Sequence, residues 1–168
     1  VSESPGGAFD VGVLRLDKCI IRDCQAPAGG AIRDTGYSEI VRSCLYRNIA
    51  TEGDGGALYH DPATIDLTIA QSTFSGNVAA GRGGAIYIAD SSVTTFDAYH
   101  ITITNNTASE GGGVYVPPEP AIPFMFYLYN SIIAGNEADT DPQISEHMQY
   151  YFEENGFTNL FQGDPHLA

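Results

Sequence analysis

The chain has no tryptophan, a single lysine (Lys18), and no apolar run that could cross a bilayer. A membrane-spanning helix needs roughly 20 apolar residues, and the most apolar stretch, Phe124 to Leu128, falls far short. No membrane insertion is therefore expected. Basic residues are also scarce: Lys and Arg together number 7 against 21 Asp and Glu, for a formal charge of −14. Nothing here could neutralise a run of phosphates, which excludes a nucleic-acid partner. An anionic lipid surface is excluded on the same ground. Three cysteines, Cys19, Cys24 and Cys44, are too few and odd in number for a disulfide framework. A Cys19–Cys24 bridge stapling one turn and a set of free thiols both remain open. The four histidines, His60, His100, His147 and His166, show no ligand spacing with the cysteines. There is no Gly-x-Ser-x-Gly elbow, no Cys/His pair in motif context and no phosphate loop. A lyase or hydrolase would need carboxylates gathered at working separation, but the acids here fall mostly in turns. The expectation is no enzyme and no catalytic, cofactor or metal residue. One exception is weighed: alternating Glu137, Asp139 and Asp141 could hold Ca²⁺, against a merely solvated turn.

What the chain has in abundance is glycine, 19 residues, much of it in pairs at a regular interval. Gly6-Gly7-Ala8-Phe9, Gly29-Gly30-Ala31-Ile32, Gly55-Gly56-Ala57-Leu58, Gly83-Gly84-Ala85-Ile86 and Gly111-Gly112-Gly113-Val114 are variants of one phrase. A second phrase keeps the same period, an apolar residue followed three positions later by asparagine: Leu45 to Asn48, Phe74 to Asn77, Ile103 to Asn106 and Ile133 to Asn136. Its first copy runs from Ile21 to Cys24. Two phrases repeating in phase mark a solenoid. The segments alternate in polarity, as in Ile101-Thr102-Ile103-Thr104, and are bounded by Gly, Asn, Asp, Ser and Pro, so they read as short strands between turns. Each rung would pair in parallel with the next and bury its apolar face only by stacking.

These phrases have physical reasons. Glycine pairs suit corners where a Cβ would obstruct the neighbouring rung. Phe9, Ile32, Leu58, Ile86 and Val114 form one inward column, and Ile21, Leu45, Phe74, Ile103 and Ile133 a second. Asn48, Asn77, Asn106 and Asn136 are the expected structural ladder, since each side-chain amide both donates and accepts. The residues before them are Arg47, Gly76, Asn105 and Gly135. Gly and Asn suit a left-handed turn, whereas Arg47 does not. Strand parity puts Cys19 and Cys24 inward and Cys44 outward.

Gly83 to Ile86 and Phe74 to Asn77 carry both motifs in full. Together they resemble the paired repeats of chlamydial polymorphic outer-membrane proteins, and of bacterial secreted right-handed β-helix proteins generally. The run Asn130 to Asn136, with Asn159-Leu160-Phe161 and Asp164-Pro165, resembles the closing rungs of bacterial β-helix surface proteins. The resemblance covers nearly the whole chain and implies an all-β fold, a right-handed parallel β-helix of about five to six rungs. It is specific for fold rather than activity, because this fold serves adhesins, autotransporter passengers and lyases alike.

The expected layout is one β-helix domain over residues 1–168. Repeats start near 6, 29, 55, 83 and 111, a proline-rich loop spans 117–123, and an irregular final rung or cap covers 137–168. Over 142–154, a helix start at Asp141-Pro142 and a further rung are both open, with the rung preferred. Tyr59, Tyr87 and Tyr115 fall in register on the outward face, either as a ligand platform for sugars or as ordinary aromatic stacking. Thr102 and Thr104 give one outward Thr-x-Thr, but the positions equivalent to Thr102 are Ile20, Cys44, Thr73 and Ile132, so an ice-binding face is rejected. Most basic residues lie in rungs one and two. The chain starts at Val1 without methionine, as a mature, clipped or excerpted chain would, and a signal peptide is presumed removed. The functional expectation is an extracellular or cell-surface structural protein that stacks head to tail on copies of itself into a fibre or surface layer. Its assembly end would be built from Gly6, Gly7, Phe9 and Phe161. The alternatives are a segment of a larger adhesin or autotransporter-type passenger, with glycans or a host surface as partner, and a carbohydrate-active β-helix.

Overall fold

The computed structural model describes residues 7–61, 66–89, 95–117, 125–145 and 159–162. Among these, every strand pairing is parallel and no helix occurs. The chain is a parallel β-helix, and each rung visits three sheets in turn.

In the first sheet, Phe9–Asp17 lies beside Ile32–Val41, a strand long enough to turn a corner. Its first half pairs with Leu58–His60, followed by Ile86–Ile88 and Val114–Tyr115. Its second half pairs with Leu67–Ala70, followed by Thr95–Tyr99 and Met125–Tyr129. The second sheet stacks Ile20–Arg22, Cys44–Tyr46, Thr73–Ser75, Thr102–Thr104, Ile132–Ala134 and Leu160–Gln162. The third stacks Gln25–Ala26, Ile49–Ala50 and Val78–Ala79, and single bridges carry it on through Thr107 to Glu137. Alternation sends one side chain in two to the interior, where the aliphatic columns and the stacked pair Phe96–Phe126, 4.5 Å apart, form one core.

The corners explain the repeat. Gly83 has φ of 67°, a left-handed backbone, and a Cβ on Gly84 would collide with the carbonyl oxygen of Gly112 in the next rung. One glycine supplies the turn, and its neighbour allows the rungs to stack at ordinary β spacing. The residue before each ladder position is left-handed throughout: Asp23, Arg47, Gly76, Asn105 and Gly135 have φ between 54° and 68°. Arg47 thus obeys the column despite its residue type, at a local cost of roughly 1–2 kcal/mol. Its guanidinium bonds both carboxylate oxygens of Asp23 at 2.7 and 2.9 Å and lies over the Tyr46 ring. These contacts, with the Arg22 pair, hold the Asp23 carboxyl down at about 2. A second left-handed column carries no glycine at all: Lys18, Arg42, Gln71, His100 and Asn130.

The repeat also continues past the fifth glycine pair. Asp141 has φ of 50°, Glu137 and Thr140 bridge to Thr107 and Glu110, and Ile144 bridges to Val114. Asp141-Pro142-Gln143-Ile144 therefore stands where earlier rungs have Gly-Gly-Ala-Ile, and residues 141–145 start a rung rather than a helix. Residues 146–154 lie outside the described residues, as does most of the expected proline loop, from 118 onward. The three cysteines are free thiols, and Cys19 and Cys24 pack partly against the core.

Candidate functional site

The asparagines form a continuous buried ladder. The Asn48 Nδ2 group donates to Asn77 Oδ1 at 3.0 Å and back to the Ile21 carbonyl at 3.2 Å, while the Asn48 backbone N–H donates to the same Asn77 Oδ1 at 3.0 Å. Asn77 repeats this toward Asn106 and Leu45, and Asn106 toward Asn136 and Phe74. Each amide ties three rungs, and exposure is 0 % at Asn48, Asn77 and Asn106. Asn136 meets Gln143, whose Oε1 accepts from Asn136 Nδ2 at 2.8 Å, so Gln143 closes the ladder. A second polar column has no counterpart in the sequence expectations. Ser43, Ser72 and Ser131 each accept a backbone N–H from the preceding rung and donate to a carbonyl two residues back in the chain. Ile101 interrupts it.

Tyr59, Tyr87 and Tyr115 are in register and point away from the core. Their rings stack on one another, 4.9 and 5.3 Å between centroids. Outward direction did not make them an open platform, because Tyr87 and Tyr115 are only 6 % and 3 % exposed. Arg82 organises the column. It donates to both tyrosine hydroxyls at 3.2 Å, lies over both rings and is anchored by the Asp54 carboxylate. Ring faces spent on neighbours and on a guanidinium leave little for a sugar. Burial pushes the Tyr87 phenol up to about 12, although Arg82 pulls the other way. The native state therefore keeps a proton that the unfolded chain releases near pH 10. Stability should fall as pH rises from about 10 to about 12, and Arg82→Ala should delay Tyr87 ionisation further. Ultraviolet difference titration with parallel urea melts checks both; an ordinary Tyr87 titration would contradict this environment.

One buried ionisable pair joins two neighbouring rungs. Asp34 and His60, in register on neighbouring rungs, are both 0 % exposed, with His60 Nδ1 2.6 Å from Asp34 Oδ2. Asp34 Oδ1 accepts the Gly36 N–H at 2.9 Å. His60 Nε2 and Ser38 Oγ are buried without a partner. A histidine and a carboxylate sealed inside the coil can orient each other but cannot reach a substrate. Alternation placed them inward, yet nothing in composition distinguishes an inward Asp34 from an outward Asp10.

At the expected assembly end, Gly7 packs against Gly30 and Phe9 is 36 % exposed beside Ile32. Gly6 lies outside the described residues. The backbone of Phe161 pairs with Ile133 in the sixth strand of the second sheet, at the other end of the coil. Glu137, Asp139 and Asp141 do not converge: among the described residues no group of three or more His, Cys, Asp or Glu could hold a metal ion.

The corners and ladder have a known sequence counterpart. Residues 71–89 and 100–117 each match the Chlamydia polymorphic membrane protein (Chlamydia_PMP) repeat. Both matches begin at a left-handed corner, Gln71 or His100, run through a ladder asparagine and end just past a glycine pair. The polymorphic membrane protein repeat is thus a single structural step: corner, ladder residue, turn, close-packed glycine. It points to a cell-surface or outer-membrane protein rather than an enzyme. Neither a characterised protein nor a solved structure gives a match to the chain.

Proposed function

We propose that the chain is a non-enzymatic rod of a bacterial cell surface, extended by adding further rungs at its rung-one edge. One observation carries this reading. Phe9–Asp17, Ile20–Arg22 and Gln25–Ala26 each pair on one side only among the described residues. Beside their free edges Phe9, Val13 and Ile20 are 36 %, 73 % and 70 % exposed. Unpaired parallel edges with exposed apolar side chains are templates for strand addition. Added by another copy of the chain, rungs give a head-to-tail fibre, a heterologous contact that does not close. The match to a surface-protein repeat favours a second reading, in which the added rungs belong to the same longer passenger-type polypeptide. Glycan or host-surface contact would then fall to its protruding corners.

Negative-stain electron microscopy across a concentration range separates the two. Filaments of single-coil width are expected for the fibre, and Phe9→Lys, which places a charge on the open end of the core, should leave short rods. Short rods from the unmodified chain at every concentration would overturn the fibre and leave the passenger.

A further inference from the structure

The charge of this rod is distributed by side. One side consists of the second sheet and its two corners, residues 18–23, 42–47, 71–76, 100–105, 130–135 and 160–162. Among the described residues it carries four of the 7 basic residues (Lys18, Arg22, Arg42, Arg47) and one acid, Asp23. The other described residues keep three bases (Arg15, Arg33, Arg82) and 13 acids, a net −10. Asp23 is itself tied to Arg22 and Arg47, and Arg42 to Asp17 just beyond the corner. From residue 71 onward this side has no formal charge with histidine neutral. By contrast, the neighbouring sheet face presents Asp17, Glu39 and Asp97 in its outward positions.

Down the middle of this side runs one outward column, Ile20, Cys44, Thr73, Thr102, Ile132 and Leu160. Its ends are open to solvent, with Ile20 70 %, Ile132 42 % and Leu160 55 % exposed. The column has the same character read from either end: two apolar residues, two threonines, two apolar residues. A two-fold axis along the strands, between Thr73 and Thr102, sets Ile20 against Leu160, Cys44 against Ile132, and threonine against threonine. In the parallel column the same axis sets Ser75 against Thr104 at the centre, Tyr46 against Ala134 and Arg22 against Gln162. Self-complementarity of one patch is what an isologous contact requires.

We propose that this side is a lateral docking face for a second copy of the chain, packed sheet to sheet in antiparallel orientation. Its one acid among the described residues, Asp23, is held by Arg22 and Arg47, so two chains of charge −14 can meet here with little acid set against acid. The strip is about 29 Å by 10 Å from strand spacing and rise. That is well under the roughly 800 Å² per partner of a stable dimer. A single pair therefore associates weakly, and the contact gains strength only where rods are long or crowded. The inference does not depend on rung addition at the edge.

Sedimentation equilibrium over a wide concentration range tests it. The unmodified chain should show a reversible monomer–dimer equilibrium that tightens with salt, as repulsion between like-charged chains is screened. Thr102→Asp at the centre of the face should weaken it about tenfold or more, and Ile132→Thr less. Thr68→Asp, on the acidic neighbouring face, should leave it unchanged. Far-UV circular dichroism confirms that each variant is folded. Association abolished by Phe9→Lys and untouched by Thr102→Asp would overturn the lateral face while leaving the fibre. So would a monomer at every salt concentration, or equal losses from Thr68→Asp and Thr102→Asp.

Discussion

Replacing Gly84 with alanine should destabilise the coil by about 3 kcal/mol, near the top of what overpacking normally costs. The added Cβ would meet the Gly112 carbonyl oxygen, and the Thr107 backbone N and C atoms would lie only 2.8 Å away. None of these is a flexible side-chain tip that could swing aside; relief requires parting two rungs along their whole ladder. Gly76→Ala is the control. Gly76 is left-handed, φ 63°, but its nearest neighbour is an Arg47 side-chain atom 3.9 Å away. It should cost only the conformational penalty, about 1 kcal/mol. Rungs are stabilised chiefly by their neighbours, so the Gly84 change should also broaden or split the urea transition, whereas the Gly76 change should shift it intact. Equal losses for the two variants would show that close rung packing at the second glycine is not what the pair provides.

Asn77→Ala should be costlier still, about 3–5 kcal/mol, because it leaves several buried groups unsatisfied at about 1–3 kcal/mol each. The Asn48 N–H and Nδ2 both lose Asn77 Oδ1, each at 3.0 Å, and the Leu45 carbonyl loses a donor at 3.0 Å. At 0 % exposure these groups have no contact with bulk solvent. Asn77→Asp discriminates between shape and hydrogen bonding. It keeps both acceptor bonds to Asn48 but turns a carboxylate toward the Asn106 Oδ1 and Leu45 oxygens, which Asn77 Nδ2 now serves at 2.9 and 3.0 Å. Burial opposes that charge, so Asn77→Asp should be as damaging as alanine at neutral pH and partly recover on acidification, when the protonated acid can donate. Thermal melts at both pH values measure this. Indifference to pH would mean that the ladder acts through packing alone.

The ladder was legible because its requirement is chemical. Only a side chain that both donates and accepts can repeat every rung, and Asn48, Asn77, Asn106 and Asn136 do so in phase. The sixth repeat was legible only as the preferred of two readings, because Asp141 and Pro142 replace the glycines while holding the same backbone path. The corner column of Lys18, Arg42, Gln71, His100 and Asn130 was hidden for a related reason. Left-handed geometry is imposed there by the strands on either side, and no residue type announces it. The tyrosines show the opposite failure. Their register could be read from the repeat, but their exposure could not, because Arg82, which lies over the rings, and Asp54, which anchors it, come from the turns of different rungs.

The sequence by itself determined the coil: the period, the parallel strands, the inward columns, the ladder and the glycine corners. These follow from steric and hydrogen-bonding rules that act on each rung and its neighbour alike, so they must recur in the sequence. The tertiary structure decided what depends on where different faces end up in space. It sealed Asp34 against His60, covered Tyr87 and Tyr115, and, among the described residues, left Asp23 as the one acid on one side of the coil. Such groupings join residues from several rungs across the section of the coil, where only the closed path of the backbone sets which charges and rings meet.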